Sequence, residues 1–401
     1  MWNLNKGMFY EMDSTAELAG DIYMKILVIP DSFKGSLSSA EAGKSIENGI
    51  KKVYSNAEVV VLPLADGGEG TVDALAYGCN GKIYNVNVTG PAGRKVLCKY
   101  AVINGNTAVI EMAGAAGLAL TSLEERNPLY TTTYGAGEVI KDAVKRGCRK
   151  FIIGIGGSAT NDGGIGMLQA LGFRMENKDG RQVAYGASGL KELAVIREEN
   201  IMPELKECNF KIACDVTNPL CGENGCSAVF APQKGATPEM AKQMDRWMED
   251  YQALAKRIEP SADGNIPGSG AGGGIGFAFV TFLNASLEPG IQLVLNETGI
   301  TSHIKTADII ITGEGCLDGQ TVMGKAPAGV AKIAKQYNKP VIAFSGCVTD
   351  QASACNNAGI DAFFPVLRSV CTLDEAMERE RAQKNIEDTV EQVFRLIKIM
   401  R

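Results

Sequence analysis

A lysine among small polar residues, in the segment Asp31–Ser38, is the first group in this 401-residue chain that could hold an anion. The segment follows an apolar run at 25–30 and precedes a helical pattern, so it lies where a strand leads into a helix. A helix N-terminus offers free amides and a partial positive charge, and Lys34 adds a full charge. Capping of the helix by Ser36 or Ser38, with Lys34 in solvent, explains the segment equally well.

The glycine-rich run GIGGSATNDGG at 154–164 could cradle phosphate groups. Consecutive backbone amides bind phosphate oxygens, and the run carries hydroxyl donors as well. It also loosely matches a dinucleotide-binding pattern, G-x-G-x-x-A at 154–159, with Glu176 about 20 residues further on. A structural turn does not need so long a polar run, so we expect phosphate binding by Gly156, Gly157, Ser158, Thr160 and Asn161. A second run, at 268–276, could also wrap phosphate or simply pack tightly.

Carboxylates follow two further strands. The segment ADGGEG at 65–70 holds Asp66 and Glu69 between glycines before a helix, where acids near a metal-bound phosphate could lie. A turn with acidic residues at the helix N-terminus is the alternative. Asp215 follows an apolar strand at 209–214 and could act as a base or as a metal ligand. An Asx-turn before Pro219 is an even alternative for it.

Glu314 and Asp318 follow a strand predicted at 307–311, and their carboxylates are the hard oxygen donors that Mg²⁺ prefers. The nearby residues 319–325 imitate a P-loop, with Gly319 and a Gly-Lys pair at the right spacing. Ala326 stands where a P-loop has a magnesium-binding Ser or Thr, so we reject that interpretation.

Strand and helix patterns alternate from Met24 onwards, and the same alternation returns after residue 307. This is typical of a parallel sheet covered by helices. Residues 82–112 instead form short alternating runs, broken by turn signals such as Asn104-Gly105. A different kind of sheet is therefore expected in the middle of the chain.

We therefore predict an α/β fold with two domains. A parallel, Rossmann-like or flavodoxin-like domain is formed by 24–80 plus 287–401, and an α+β domain is inserted at 81–286. A small ligand is expected in the cleft between them. Residues 1–23 show no packing pattern, and we expect a non-native or disordered extension that precedes a natural start at Met24.

Composition excludes several classes of protein. Apolar residues make up 45% of the chain, which rules out global disorder. Lys and Arg number 40 against 46 Asp and Glu, a net charge of −6 without a basic run, so neither nucleic acid nor an anionic membrane is the expected partner. No apolar stretch reaches the about 18 residues of a membrane span. The 11 cysteines are expected to be reduced.

The chain resembles the bacterial type of glycerate kinase, the glycerate 2-kinase-like family. The matching motifs are DSFKGSLSS at 31–39, PLADGGEGT at 63–71, GIGGSATNDGG at 154–164, CDVTNPLCG at 214–222, GAGGGIG at 270–276, GEGCLDGQT at 313–321 and GKAP at 324–327. The segment ERNPL at 125–129 also looks like the family. The resemblance implies a cytoplasmic two-domain enzyme that phosphorylates D-glycerate with ATP in glyoxylate and sugar-diacid catabolism. It favours 2-phosphoglycerate over 3-phosphoglycerate as product and leaves a homo-oligomer open.

Phosphoryl transfer requires positioning and charge neutralisation, and the motifs supply both. We expect the phosphates at 156–160 with Lys34. Mg²⁺ is expected at Asp318 and Glu314, with Asp66 as a further candidate. We expect the glycerate carboxylate to bind Ser36 and Arg126, with Asp66 also on the substrate side, and Asp215 to orient or deprotonate the hydroxyl; Asp215 and Lys34 are the expected catalytic residues.

Two other functions remain open on sequence alone. The pattern at 154–159 suggests an NAD-dependent hydroxy-acid dehydrogenase, although His303, the one histidine, lies outside every glycine-rich loop. A sensor of a small hydroxy acid is the non-enzymatic alternative. Several carboxylates in one cleft disfavour the sensor, since an anion-binding site has few of them.

Overall fold

The structure is a computed structural model that describes residues 23–65, 67–319, 321–323 and 325–400. The predicted extension at 1–23, apart from Tyr23, and the predicted ligand Asp66 lie outside the described residues. In the described part, the strands are β1 (Lys25–Pro30), β2 (Glu58–Val61), β3 (Lys82–Thr89), β4 (Lys95–Ile103), β5 (Thr107–Glu111), β6 (Lys150–Gly154), β7 (Arg174–Glu176), β8 (Val195–Arg197), β9 (Asn209–Ala213), β10 (Ser286–Glu288), β11 (Ile309–Leu317), β12 (Val341–Val348) and β13 (Ala362–Pro365).

The helices of the described part cover the sheets formed by these strands. They are α1 (Ser39–Lys51), α2 (Thr71–Gly78), α3 (Ala113–Ala116), α4 (Tyr134–Lys145), α5 (Ile165–Leu171), α6 (Ala187–Glu192), α7 (Cys226–Phe230), α8 (Pro238–Ala255), α9 (Ala271–Leu283), α10 (Gly290–Glu297), α11 (Ile300–Thr306), α12 (Ala326–Gln336), α13 (Ala354–Asn357), α14 (Leu373–Met377) and α15 (Arg379–Met400). No helix in this part is long and apolar enough to span a membrane.

The first sheet is parallel throughout, with strand order β13-β12-β11-β1-β2. Its inner strands β1 and β11 are buried on both faces over most of their length, as expected for parallel strands between helices, whereas the edge strands β2 and β13 are only partly buried. Side chains alternate across β1: Ile26 and Val28 pack towards α1 and α15, whereas Leu27 and Ile29 pack towards α10, α11 and α12. The predicted parallel α/β arrangement is confirmed.

The second sheet is mixed, with strand order β10-β9-β6-β5-β4-β3. Strands β3, β4 and β5 are antiparallel, whereas β5, β6, β9 and β10 run parallel. One face carries Phe151, Ile153 and Phe210 against α4, α5 and α9. The opposite face carries Val109 and Ile152, which belong to the same apolar cluster as α2, α10 and β1. A shared core therefore joins the two sheets.

The local predictions differ from the structure in a few places. The strand predicted at 307–311 continues to Leu317, because its parallel pairing with β12 extends to Leu317 and Val348. Glu314 therefore lies within β11 rather than in a loop after it. The helix predicted at 350–358 is a 3₁₀ turn, Asp350–Ser353, followed by α13.

The domain division stays a prediction. The first sheet takes its strands from 25–61 and 309–365, and the second takes its strands from 82–288. Since β10 pairs with β9, we propose that the second boundary follows Glu288 rather than residue 286.

Candidate active site

Loops at the carboxyl ends of strands in both sheets carry the motifs that the sequence analysis singled out. In the first sheet, β1 leads into 31–38 and β2 leads into 62–70. In the second sheet, β6 leads into the glycine-rich run 154–164 and β9 leads into Asp215. Open α/β sheets bind ligands outside the carboxyl ends of their strands. The topology therefore places these motifs where a ligand would lie.

Two glycines bring the loops of the two sheets into contact. A Cβ atom at Gly154 would collide with the carbonyl oxygen of Gly67. A Cβ atom at Gly67, where φ is +87°, would lie 2.5 Å from the Ala213 side chain and 3.0 Å from Cα of Gly290. Only glycine fits such a close approach without strain. Both glycines therefore serve the packing of one sheet edge against the other.

Three cavities meet at Lys34, and its exposed side chain lines all of them. The apolar cavity lies between Phe33 and the helices α14 and α15, and has a volume of about 350 Å³. The glycine-loop cavity lies between 156–158 and Asp215, with about 420 Å³. The acidic cavity lies beside Glu69, with about 550 Å³. Lys34 therefore places one positive charge at the junction of all three.

The apolar cavity combines an apolar body with one charged end. Its apolar wall is formed by Phe33, Val366, Leu367, Leu373, Ala376, Met377, Ala382 and Ile386. Its polar end is formed by Asp31, Lys34, Glu314 and Lys325. Most small-molecule sites are lined by apolar side chains with a few polar groups that fix orientation. The cavity therefore suits a ligand with a flat apolar part and an anionic part.

Glu314 lies at the polar end of this cavity, and Asp318, which does not line it, shares Lys325 with Glu314. The Lys325 Nζ atom lies 3.3 Å from Asp318 Oδ1 and 3.8 Å from Glu314 Oε2, and the Thr321 hydroxyl donates to Glu314 Oε1 over 2.7 Å. Burial raises the pKa of Glu314, and the Thr321 hydrogen bond and the charges of Lys325 and Lys34 oppose this. The described residues contain no group of three or more metal-ligating side chains. The two predicted magnesium ligands are nevertheless brought together, with one ammonium near both.

The glycine-loop cavity brings together Asp215 and the predicted phosphate-binding residues Gly156, Gly157 and Ser158. Asp215 is exposed, and its Oδ1 atom accepts a hydrogen bond from the backbone amide of Gly290 over 3.0 Å. Gly290 begins α10, so this contact satisfies a helix amide that has no partner within the helix. Asp215 therefore lines the cavity while part of its carboxylate binds a helix N-terminus.

Lys234 also lines the glycine-loop cavity, although its side chain is buried. Its Nζ atom donates to Ser158 Oγ over 2.9 Å and to the Thr160 carbonyl oxygen over 2.6 Å. Burial lowers the pKa of Lys234 to about 8, while the nearby Cys226 and Asp162 side chains act in the opposite direction. These two hydrogen bonds tie Lys234 to the glycine-rich run. No sequence pattern predicted this contact, and Pro232 and Gly235, on either side of Lys234, were the only local signal of a turn.

Thr160 and Asn161 are fully buried and line none of the three cavities among the described residues. The Asn161 Nδ2 atom donates to Ser227 Oγ over 2.9 Å, while Thr160 Oγ1 and Asn161 Oδ1 have no hydrogen-bond partner in the described part of the chain. Asp162 beside them is also buried and accepts hydrogen bonds from the Thr133 amide and hydroxyl, each over 2.9 Å. The second half of the glycine-rich run therefore lies behind the cavity wall.

Ser36 and Arg126, the two predicted carboxylate-binding residues, are not brought together. Ser36 lines the apolar and acidic cavities, and its buried hydroxyl has no hydrogen-bond partner among the described residues. Arg126 lines none of the three cavities, and its backbone packs against Gly235, the residue after Lys234. The two residues are separated because Ser36 follows β1 of the first sheet, whereas Arg126 follows β5 of the second sheet.

The acidic cavity is lined by the three carboxylates of Glu69, Asp73 and Glu111, and by Lys99 in addition to Lys34. Lys99 forms an ion pair with Asp73 over 2.6 Å, and the Glu111 side chain accepts from the Val72 amide over 2.8 Å. Burial raises the pKa of Glu111, partly offset by the Val72 amide and by Lys99. Glu69 lies at the junction with the glycine-loop cavity. This cavity is the most negative of the three.

Glu176, the acid of the loose dinucleotide-binding pattern, is used elsewhere. It is buried on β7, where it forms ion pairs with Arg174 over 2.5 Å and with Arg197 over 3.0 Å. A ribose-binding acid must point at its ligand from the end of a strand. The ion pair with Arg197 instead joins β7 to β8, so the dinucleotide interpretation loses its second element.

Similarity to known proteins agrees with these motifs. The sequence model of the Glycerate kinase family matches residues 26–398. A glycerate kinase of Haemophilus influenzae is 44% identical over 375 residues, which are 93% of this chain and 99% of that protein. The chain belongs to the glycerate kinase family. A glycerate 2-kinase of Escherichia coli K12 is likewise 44% identical, over 92% of this chain and 98% of its own length.

The fold agrees with a solved member of the glycerate kinase family. A crystal structure described as glycerate kinase 2 from Salmonella typhimurium LT2 is 44% identical and superposes with a TM-score of 0.87. The match covers 94% of this chain and 99% of that one. The resemblance predicted from the motifs is thereby confirmed, and the chain is a kinase. The dehydrogenase and sensor alternatives are not favoured.

Proposed function

We propose that this kinase transfers the γ-phosphoryl group of ATP to D-glycerate. The observation that carries the proposal is the position of Lys34, which lines an apolar cavity on one side and a cavity with an amide-rich loop and Asp215 on the other. A nucleotide needs an apolar site for its base and positive charge for its phosphates. The acceptor hydroxyl needs a carboxylate that orients it.

The adenine base is assigned to the apolar cavity, between Phe33 and Met377. Its volume of about 350 Å³ falls within the usual range of small-molecule sites, and its wall is mostly apolar. From there the phosphates extend past Lys34 towards the glycine-rich run. The amides of Gly156 and Gly157 and the Ser158 hydroxyl would contact them in the glycine-loop cavity. Thr160 and Asn161 lie behind that wall and would support the loop rather than touch phosphate.

Mg²⁺ is assigned to Glu314 and Asp318. Mg²⁺ is usually held by one or two carboxylates together with substrate phosphates, so this oxygen donor pair fits it without a third protein ligand. When bound, the ion would neutralise phosphate charge during transfer. Lys325, which lies near both carboxylates in the structure, is close enough to share that task by binding a phosphate oxygen.

D-Glycerate is assigned to the glycine-loop cavity, with its acceptor hydroxyl against Asp215. Asp215 lines the same cavity as Gly156 and Ser158, so an acceptor beside it would face the terminal phosphate. Lys34, which lines this cavity, is proposed to bind the glycerate carboxylate, whereas Ser36 lines the two neighbouring cavities and stays a prediction from the resemblance. Arg126 stays a prediction from the resemblance, since it lines none of the cavities at Lys34 among the described residues.

The product is proposed to be 2-phosphoglycerate. Support comes from the family resemblance and from the Escherichia coli relative, whose name specifies a 2-kinase. The same resemblance supports a cytoplasmic enzyme of glyoxylate and sugar-diacid catabolism.

The test is incubation of the chain with ATP, Mg²⁺ and D-glycerate, followed by ³¹P NMR. ADP and a resonance that coincides with authentic 2-phosphoglycerate are expected. L-Glycerate serves as the matched control, because it carries the same groups with the opposite arrangement at C2. Absence of ADP formation would refute the kinase assignment for glycerate, and 3-phosphoglycerate alone would refute the position of transfer.

A further inference from the structure

Two cysteines stand opposite each other at the end of the first sheet. Cys316 on β11 and Cys347 on β12 are register partners in the parallel pairing. Neighbouring strands lie about 4.8 Å apart, and disulfides join Cα atoms separated by roughly 4.4–6.8 Å. Partners in register point to the same face of a sheet, so the two thiols are neighbours on one face. Their backbones are therefore placed for a disulfide without rearrangement of the sheet.

A small molecule in solvent can reach this pair. All eleven cysteines of the chain lie in the described part and are free thiols, and Cys347 is the exposed one. Both Cys316 and Cys347 also line the apolar cavity, near Lys34 and Glu314. Accessible thiols with a second thiol in reach are the ones that form reversible disulfides.

We propose that Cys316 and Cys347 form a dithiol site that low-molecular-weight disulfides oxidise. The Cys347 sulfur attacks the small disulfide, breaks its S–S bond and releases one small thiol, which leaves a mixed disulfide. The Cys316 sulfur then attacks the Cys347 sulfur and releases the second small thiol. Two protein thiols and one small disulfide thus become one protein disulfide and two small thiols. The two electrons, and the protons of the two protein thiols, pass to the oxidant.

Oxidation at this site would act on the residues assigned to the nucleotide and the metal ion. Glu314 lies two residues before Cys316 and therefore shares its face of β11. The Ser345 hydroxyl joins the two strand ends, because it donates to the Glu314 carbonyl oxygen and accepts from the Leu317 amide, each over 3.0 Å. A disulfide would draw these tied ends together and change one wall of the apolar cavity. Oxidised protein is therefore expected to bind ATP more weakly, an effect that rests on the proposed function.

The first test is chemical and does not depend on activity. The reduced full chain is incubated with glutathione disulfide, and intact mass and peptide mapping are recorded. The expected result is a loss of two hydrogens and a cross-linked peptide that contains Cys316 and Cys347, both reversed by dithiothreitol. A stable glutathione adduct on Cys347 without the cross-link, or an unmodified pair, would overturn the dithiol site.

The second test links oxidation to function. Kinase activity and ATP affinity are measured before and after oxidation, each protein being compared with its own reduced form. Cys347→Ser should abolish the oxidative loss and Cys316→Ser should stop at the mixed disulfide on Cys347, whereas Cys371→Ser, outside the cavity wall, should retain the loss with the cross-link. Equal loss in all variants would overturn the proposed effect. A reduced wild-type chain that does not phosphorylate glycerate would refute the proposed function instead, while the cross-linked peptide alone decides the site.

Discussion

Replacement of Lys234 by methionine tests whether a buried ammonium supports the amide-rich loop that we propose binds phosphate. Methionine replaces most of the apolar part of the side chain and is one atom shorter, and it removes the charge and both hydrogen bonds, to Ser158 and to the Thr160 carbonyl oxygen. The glycine-loop cavity would lose a positive charge beside the assigned phosphates. Turnover should fall by roughly 10²–10³-fold, the usual effect of removing one well-placed donor from a charged transition state.

The pH dependence of the free energy of unfolding gives a second test of Lys234. In the folded chain burial lowers the pKa of Lys234 from 10.5 to about 8, whereas in the unfolded chain it stays near 10.4. Between these values the unfolded state binds more protons, so the free energy of unfolding rises with pH in this window. The folded and unfolded pKa values of Lys234 differ by about 2.5, and each pKa unit corresponds to about 1.36 kcal/mol. The free energy of unfolding therefore changes by about 3 kcal/mol across this window. The destabilisation caused by the buried charge of Lys234 is fully present below pH 8 and disappears towards pH 10.5, where the unfolded chain also loses this proton.

The assay is urea unfolding of wild type and Lys234→Met at several pH values from 7 to 10.5. Other titrating groups are common to both proteins, so the difference in free energy of unfolding isolates Lys234. Wild type should gain about 3 kcal/mol relative to the variant across the window. Its turnover should also fall as pH passes 8, a limb that the variant should lack.

Lys242→Met is the matched control, because Lys242 is exposed on α8. Its difference from wild type should stay flat across the same window. A flat difference for Lys234→Met as well would show that Lys234 is charged in both states to the same pH. Wild-type turnover in a folded Lys234→Met protein would remove the lysine from the site altogether.

Three further substitutions test the assigned roles. Lys34→Ala should lower turnover by about 10²–10³-fold, since it removes the charge at the junction of the cavities; Lys44→Ala on α1 is the control, and equal kinetics of the two would contradict the role. Asp215→Asn should lower turnover by about 10²–10⁴-fold with little change in nucleotide affinity; a drop in melting temperature with normal turnover would leave only its contact with α10. Asp318→Asn should raise the Mg²⁺ concentration for half-maximal activity, because the amide lacks the charge that this cation prefers; an unchanged titration relative to exposed Asp350→Asn would remove Asp318 from the metal site.

The sequence predicted most of the elements because their signals are local. Apolar or alternating runs, separated by glycine and proline, mark most strands of the two sheets, whereas the three-residue strand β10 has no such signal. The turn signal at Asn104-Gly105 is confirmed, since φ is +50° and +81° at these two residues. Helix α1 begins after Ser38, which forms a capping box with Glu41. Each of these features is decided by neighbours along the chain.

The features that the sequence did not predict depend on contacts between distant segments. Strand β11 continues to Leu317 through Gly313 and Gly315, residues without strand preference, because β12 supplies its pairing partners. Lys234 reaches the glycine-rich run from a short 3₁₀ turn about 75 residues later in the chain. No local pattern marks such a lysine as buried. Glu176 is likewise taken up by arginines, one of them on the partner strand β8.

The residues of the candidate site are divided between the two sheets, and this division keeps the carboxylates apart from the amide-rich loop. The first sheet and the segment that follows its strand β11 contribute Glu314 and Asp318 with Lys325, whereas the second sheet contributes the amide-rich loop, held by Lys234. On the first sheet the carboxylates lie near Lys325 and Lys34, whereas on the second sheet the amides face a cavity in which Lys234 and Lys34 add positive charge. Lys34 belongs to both sides.

The separation is held by the core rather than by the site. Helices α2 and α10 lie in the apolar cluster shared by the two sheets, and the close approach of Gly67 to Gly154 fixes the distance between the loop edges. Well-packed interiors resist small changes of volume. A side chain at either glycine would therefore push the amide-rich loop away from the carboxylates. If the phosphates lie in the glycine-loop cavity as we propose, their placement depends on packing between the sheets as well as on the charged residues that line the cavity.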